Sequence, residues 1–318
     1  MFATFSIAQH VDYPKLFLVA KDGSGNFRTI QEAIFAVRDL SQQQVTIKIK
    51  NGIYKEKIVI PSWKTNIALL GEARDSTIIT YDDYAGKKLA ATDQFLKTDS
   101  IRTYTSYTLL VQGNDCGIQN LTVKNTSGRV GQAVALHVEG DRFVANRCSI
   151  LGNQDTYYAA TENSRQYLRH CYIEGTTDFI FGEATVAFDS CIIKSLTNSY
   201  ITASSARPAE DYGFVFLNCS LIADTAAKKV YLGRPWRPYA KTVFINTKMG
   251  SHILPQGWDN WKNPENEKTA FYAEYKSFGA GANSAARAKW SHQLSKNESK
   301  KYTLNNIFNG WIPSIDLK

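Results

Sequence analysis

No apolar run of 18 or more residues interrupts the 318-residue chain, so no stretch reads as a membrane-spanning helix. Cys-x-x-Cys pairs and His clusters are also missing, and nothing in the sequence asks for a metal ion. Without a Gly-x-Ser-x-Gly elbow, a serine-esterase mechanism has no support. The five His residues lie away from the motifs that carry chemistry. Pro-rich, Ser-rich and charge-block linkers are absent, which favours one domain. The formal charge is +8 and the pI about 9.1, yet no run of five or more Lys/Arg occurs. That combination argues against nucleic acid. It leaves a solvated basic surface, or attraction to another polyanion such as anionic lipid or acidic polysaccharide.

What the chain does have is a repeated frame. Cys148-Ser149-Ile150 and Cys171-Tyr172-Ile173 each reach an Asp seven residues after the Cys, at Asp155 and Asp178. The frame recurs at Leu121-Thr122-Val123, Cys191-Ile192-Ile193, Cys219-Ser220-Leu221 and Thr247-Lys248-Met249. Spacings of roughly 20–28 residues predict a stack of coils. If the coils stack as parallel strands about 4.8 Å apart, Asp155 and Asp178 lie one above the other. The aligned Cys148, Cys171, Cys191 and Cys219 then face inward as small apolar side chains. A bridge between neighbours is allowed by distance and not required.

Along the chain, Met1–Gln9 is apolar but lacks a charged n-region. Residues 1–14 are expected to be a flexible start or the remnant of a secretion signal. Residues 15–318 are expected to form one domain. Thr29 and Glu32 fit a capping box, and Ile30, Ala33, Ile34, Val37 and Leu40 give one apolar helical face, suited to covering the open end of a coil stack. Short strand-like segments follow, including Ile118–Val123, Ala133–Val138, Phe143–Ile150 and Gln166–Ile173. A propeller or sandwich also has many short strands. The single aligned position per coil favours an all-β parallel β-helix, with a short N-terminal capping helix. After about residue 265 the pattern breaks, and segments near 285–288 and 297–302 read as C-terminal helices or loops.

The Asp pair invites acid/base or nucleophilic chemistry, because two nearby carboxylates push their pKa values apart. One can attack an ester carbonyl while the other, protonated, serves the leaving alcohol. Gln154 precedes Asp155, and Gln132 belongs to the preceding coil. Both amides can donate to a developing oxyanion. Arg234, in Leu232-Gly233-Arg234-Pro235-Trp236, can hold one carboxylate ionised through a bidentate pair. Tyr158, Phe181 and Trp236 offer flat faces for a sugar ring. Phe179 or Ile180 is expected in the core, with Phe181 partly exposed. Each feature also has a structural reading: Asp in Asx turns, Gln132 as an amide rung, Arg234 in an ion pair, the aromatics as packing.

Taken in order, Gly131-Gln132-Ala133-Val134-Ala135-Leu136, Gly152-Asn153-Gln154-Asp155-Thr156, Gly175-Thr176-Thr177-Asp178-Phe179-Ile180-Phe181-Gly182 and Leu232-Gly233-Arg234-Pro235-Trp236 resemble the signature motifs of the pectin methylesterases. Asp22-Gly23-Ser24-Gly25-Asn26-Phe27 and Phe271-Tyr272-Ala273-Glu274-Tyr275 resemble that family as well. The similarity runs from residue 15 to 313.

The resemblance implies a right-handed parallel β-helix that hydrolyses galacturonate methyl esters in pectin to pectate and methanol, with no cofactor. It makes Asp178 the nucleophile and Asp155 the general acid, then base. Gln132 and Gln154 line the oxyanion hole, and Arg234 steadies Asp178. Thr103, Tyr158, Phe181 and Trp236 contact substrate. Thr177 and Tyr157 depart from the commonest family pattern and bear on subsite preference. A calcium-dependent lyase would need clustered carboxylates beyond the Asp pair. A glycosidase would use two carboxylates, but paired Gln donors fit an acyl oxyanion better. A non-catalytic adhesin would not need Asp155, Asp178 and Arg234 together. The expected partner is methylated homogalacturonan, met by a monomer that is secreted, periplasmic or at the cell surface.

Overall fold

The computed structural model describes residues 13–93, 97–315 and 317. The expected flexible start or signal remnant therefore falls almost wholly outside the described residues. Among those residues, three parallel sheets of eleven, eight and seven strands run the length of the molecule. Each complete coil contributes one strand to each sheet, and the partial coils at the ends add further strands to the largest. Phe143–Asn146, Ser149–Leu151 and Tyr157–Ala159 make one coil, and Arg165–Arg169, Tyr172–Gly175 and Ile180–Gly182 make the next. Corresponding strands pair in register: Phe143 with Gln166, Ser149 with Tyr172, Tyr157 with Ile180. This is the parallel β-helix that the repeat spacing predicts.

The sequence reading runs the first and second strands of a coil together, as in Phe143–Ile150. The structure breaks each such segment at one residue. Asn120, Arg147, His170, Ser190, Asn218 and Asn246 all have φ between 50° and 55°. A single left-handed residue turns the chain from the eleven-stranded sheet to the eight-stranded one. Asn and His are among the non-glycine residues found there most often; Arg and Ser adopt it against their preference. The pairing across coils holds them there. The N–H of Arg147 donates to the Arg169 carbonyl at 3.0 Å, and that of His170 to the Asp189 carbonyl at 3.0 Å. The residue after each corner is the aligned one. Leu121, Cys148, Cys171, Cys191, Cys219 and Thr247 all point inward and are buried. All five cysteines are free thiols.

Inside, like stacks on like because the register is constant. Ile79, Val123, Ile150, Ile173, Ile193, Leu221 and Met249 form one buried row. Phe188, Phe216 and Phe244 form another, with ring centroids 4.4 and 4.3 Å apart. Burying such rings supplies a large share of the apolar area removed from water.

The N-terminal end is covered by a helix, Ile30–Ala36, shorter than the apolar periodicity suggests. Leu40 lies beyond it, has φ 50°, and is exposed. Half of the expected capping box is present, with Thr29 Oγ1 accepting from the Glu32 N–H at 3.3 Å. A carboxylate from another part of the chain completes the cap. Glu56 accepts from the N–H groups of Ile30 and Gln31.

At the far end the β-helix continues past residue 265. Phe271–Tyr275 pairs with Lys241–Ile245, and His292–Gln293 follows. The pattern is hard to read there because Glu274 points inward. It forms a buried ion pair with Arg287, at 2.6 Å between Nε and Oε1. Short helices Lys296–Ser299 and Leu304–Ile307 then lead a strap across the outer face of the largest sheet. Its Ile307 and Phe308 pack on Val144, Tyr167, Ala187 and Val215. An antiparallel hairpin, Lys88–Asp93 with Thr98–Ser100, stands outside the stack.

Candidate active site

The corner between the eight- and seven-stranded sheets carries Asp155 and Asp178, with φ of 63° and 47°. Asp is among the few residues that visit this region readily. Their N–H groups donate to the next coil, Asp155 to the Thr177 carbonyl and Asp178 to the Tyr200 carbonyl. With Tyr157 opposite Ile180, the two carboxylates stand in register on adjacent coils. They are only 4% and 6% exposed, so both have lost most of their hydration.

Their partners differ. Arg234 forks onto Asp178, with Nε to Oδ1 at 3.0 Å and an Nη to Oδ2 at 2.6 Å. Burial pushes the Asp178 carboxyl above its ordinary range, and the Arg234 hydrogen bonds and charge oppose this. Asp155 lacks such a fork. Burial first, and the charge of Asp178 second, push its carboxyl up to about 8, against a hydrogen bond from Gln132 and the charge of Arg234. Environment thus gives two chemically identical groups different hydrogen-bond and charge partners, with only Asp178 opposed by a guanidinium fork.

Gly233 lets Arg234 reach this position. A Cβ there would meet Thr202 Oγ1 at 2.0 Å. Arg234 is further flanked by Tyr200 and Trp261, whose ring centroids lie 3.9 and 3.7 Å from its Cζ.

Gln132 and Gln154 form a parallel bridge beside the carboxylates. Thr103 Oγ1 donates to Gln132 Oε1 at 2.8 Å. With its oxygen so engaged, the Gln132 amide turns its NH₂ toward Asp155. The short 3₁₀ turn Thr103–Thr105 is held by Lys57, which bonds the Thr105 carbonyl and Asp83.

A cavity of about 190 Å³ joins these groups. Eight of the nine residues singled out from the sequence line it: Thr103, Gln132, Gln154, Asp155, Asp178, Phe181, Arg234 and Trp236. Tyr158 stacks on Phe181 with centroids 4.5 Å apart and planes 9° from parallel. Phe181 is 4% exposed rather than partly exposed as expected. It points outward from its strand, but Tyr158 and Trp236 pack against it.

His137 also corrects the sequence reading. It lies one residue beyond the Gln132 motif and packs against Tyr158, at 4.5 Å between ring centroids. Its register opposite Tyr158, itself opposite Phe181, is what brings it to the aromatic row. Tyr104, Ala203 and Trp261 line the cavity without having been singled out. Tyr104 adjoins Thr103 in sequence and was available to that extent. Trp261 lies in the irregular segment after the repeats, where no periodicity points to a site.

Among the described residues, no three His, Cys, Asp or Glu side chains converge as metal ligands would. No helix there is long and apolar enough to cross a membrane.

The pectinesterase family model matches residues 17–311. The chain belongs to the pectinesterase family of carboxylic ester hydrolases. It is 35% identical over 287 residues to Pectinesterase 31 of Arabidopsis thaliana, covering 90% of this chain and 89% of that protein. The pectin methylesterase from carrot superposes with a TM-score of 0.84 at 32% identity, over 97% of this chain and 95% of the other. A pectin methylesterase in complex with a hexasaccharide superposes with a TM-score of 0.78 at 30% identity, over 94% and 98%. The chain spans about half of some longer family members, 49% of the putative pectinesterase/pectinesterase inhibitor 45 of A. thaliana and 59% of PPE8B of Prunus persica.

Proposed function

We propose that residues 15–318 act as one β-helix unit that hydrolyses galacturonate methyl esters in pectin, releasing methanol and leaving pectate. The observation that carries this reading is the buried, in-register Asp pair made unequal by Arg234. Family membership supports the substrate class, as does the hexasaccharide bound by a similar pectin methylesterase.

In this mechanism an Asp178 oxygen attacks the ester carbonyl and the C=O electrons move onto oxygen. The amides of Gln132 and Gln154 donate to that oxyanion. The tetrahedral adduct collapses, the C–OCH₃ bond breaks, and Asp155 gives its proton to the departing methoxide. An acyl anhydride on Asp178 remains. Asp155, now a carboxylate, takes a proton from water as the water oxygen attacks the acyl carbon. The anhydride opens, Asp178 is regenerated, and Asp155 again holds a proton. Thr103, Tyr158, Phe181 and Trp236 make the cleft that receives the sugar rings, and no cofactor takes part. The enzyme acts as a monomer where its polymer lies, outside the cytoplasm. Its +8 charge suits a product that gains negative charge at each turnover.

Methanol release from methylated pectin tests the reading. The intact chain should release methanol, and Asp178→Asn should not, because an amide is a very poor nucleophile. An Asp178→Asn protein with full turnover would remove this residue from the reaction.

A further inference from the structure

Tyr200 does not line the cavity, yet it touches the site twice. Its carbonyl accepts the Asp178 N–H at 2.9 Å, and its ring centroid lies 3.9 Å from the Arg234 Cζ. The ring is itself supported. Tyr231 is its register partner in the next coil and stacks on it at 5.2 Å, 16° from parallel. Gln256 donates to the Tyr231 hydroxyl at 3.2 Å. Trp261 flanks the same guanidinium at 3.7 Å, and its backbone N–H donates to Asp259 Oδ1 at 2.7 Å.

We propose that Tyr200 is a positioning residue for ester hydrolysis: its ring face keeps the Arg234 guanidinium forked on Asp178 while the cleft fills and empties.

The inference rests on the reading of Asp178 as nucleophile. Arg side chains have several soft torsions, and a fork made by two hydrogen bonds alone is free to pivot when a charged polymer enters. An aromatic face restrains the guanidinium plane without competing for its N–H groups. The requirement is for a flat π face, so the phenolic hydroxyl of Tyr200 is not needed. A Lys at position 234 would have no plane to restrain.

The charged and titratable groups around Asp178 are Asp155, Arg234 and Asp259, together with Tyr200 and the buried Tyr272. Of these only Arg234 favours the carboxylate by direct hydrogen bonds. Loosening it leaves burial of Asp178 less opposed, and the acid limb of the pH–rate profile should move to higher pH.

The experiment compares Tyr200→Phe, Tyr200→Leu, Tyr231→Leu and Asp178→Asn with the unaltered chain, measuring kcat, KM and the pH profile of methanol release. Tyr200→Leu is also made in an Arg234→Lys background. Tyr200→Phe should stay within about twofold, whereas Tyr200→Leu should lower kcat by about 3- to 30-fold with KM little changed. Its acid limb should rise in pH, and in the Arg234→Lys background it should add no further loss. Tyr231→Leu should act in the same direction but more weakly, and it carries the test if Tyr200→Leu does not fold.

Unchanged kcat in both Leu variants would overturn the proposal. So would equal losses in the Phe and Leu variants, or a change in KM alone. Inactive Asp178→Asn beside fully active Leu variants would remove only the positioning role. Active Asp178→Asn would overturn both readings, since Arg234 would then hold a carboxylate that the reaction does not use.

Discussion

Asp155 differs from Asp178 chiefly in the absence of a guanidinium fork, and that difference fixes the pH behaviour of the site. Its carboxyl rises from an ordinary value of 3.8 to about 8, first through burial and then through the charge of Asp178. In the proposed mechanism Asp155 is the acid that protonates methoxide and must hold its proton, so kcat/KM should fall on the alkaline side near pH 8. The same shift affects folding. Between pH 3.8 and about 8 the folded chain holds a proton on Asp155 that the unfolded chain has released. Stability contributed by this group is therefore complete at low pH and declines as pH rises through that window. Replacing Asp155 by Asn removes the titration. Thermal melts from acid to alkaline pH should show a flatter dependence for Asp155→Asn, with a higher Tm than the unaltered chain at neutral pH. A lower Tm for the variant at neutral pH would contradict this.

The elements at the two ends are fixed by carboxylates that reach across the fold. Glu56 caps the helix Ile30–Ala36 from a later coil. Glu274, inward-facing on Phe271–Tyr275, pairs with Arg287, whose remaining N–H groups serve the carbonyls of Leu254, Pro255 and Gly281. Both members of the pair have side chains only 2% exposed. Glu274→Ala leaves a buried, unpaired guanidinium and should cost about 3–5 kcal/mol of stability. The double variant Glu274→Ala/Arg287→Met should lose less than the sum of the single changes. Urea melts of the four proteins would check this, and additive losses would mean the two side chains act independently.

For the molecule as a whole, a β-helix has an outer surface as well as an interior, and here the largest sheet is partly apolar outside. Val144, Tyr167, Ala187 and Val215 would face water if Ile307 and Phe308 did not cover them. Arg165 secures the strap by donating to the Phe308 carbonyl at 3.0 Å, and Asn146 Nδ2 donates to the Ile315 carbonyl at 3.1 Å. A chain ending at Leu294 should keep its β signal but expose this patch, bind a hydrophobic dye and self-associate. A truncated protein with unchanged dye binding and sedimentation would show that the strap is dispensable.

The sequence by itself determined the number of residues per coil, the inward row of Leu121, Cys148, Cys171, Cys191, Cys219 and Thr247, and the stacking of Asp155 on Asp178. All three follow from one repeated offset, because parallel pairing converts equal sequence position into spatial contact. Gln132, Gln154, Arg234 and Trp236 were legible through their ordered motifs. The tertiary structure decided the rest. One left-handed residue per corner is too small an interruption to show in an alternating pattern, so two strands read as one. Phe181 is buried because neighbouring rings close over it, which periodicity within its own strand does not encode. Glu274 faces inward because Arg287 meets it there. Tyr104, Trp261 and the ring of Tyr200 reach the site from a 3₁₀ turn's middle, an irregular loop and the next coil. Their roles depend on distance through space, and no repeat in the chain records that distance.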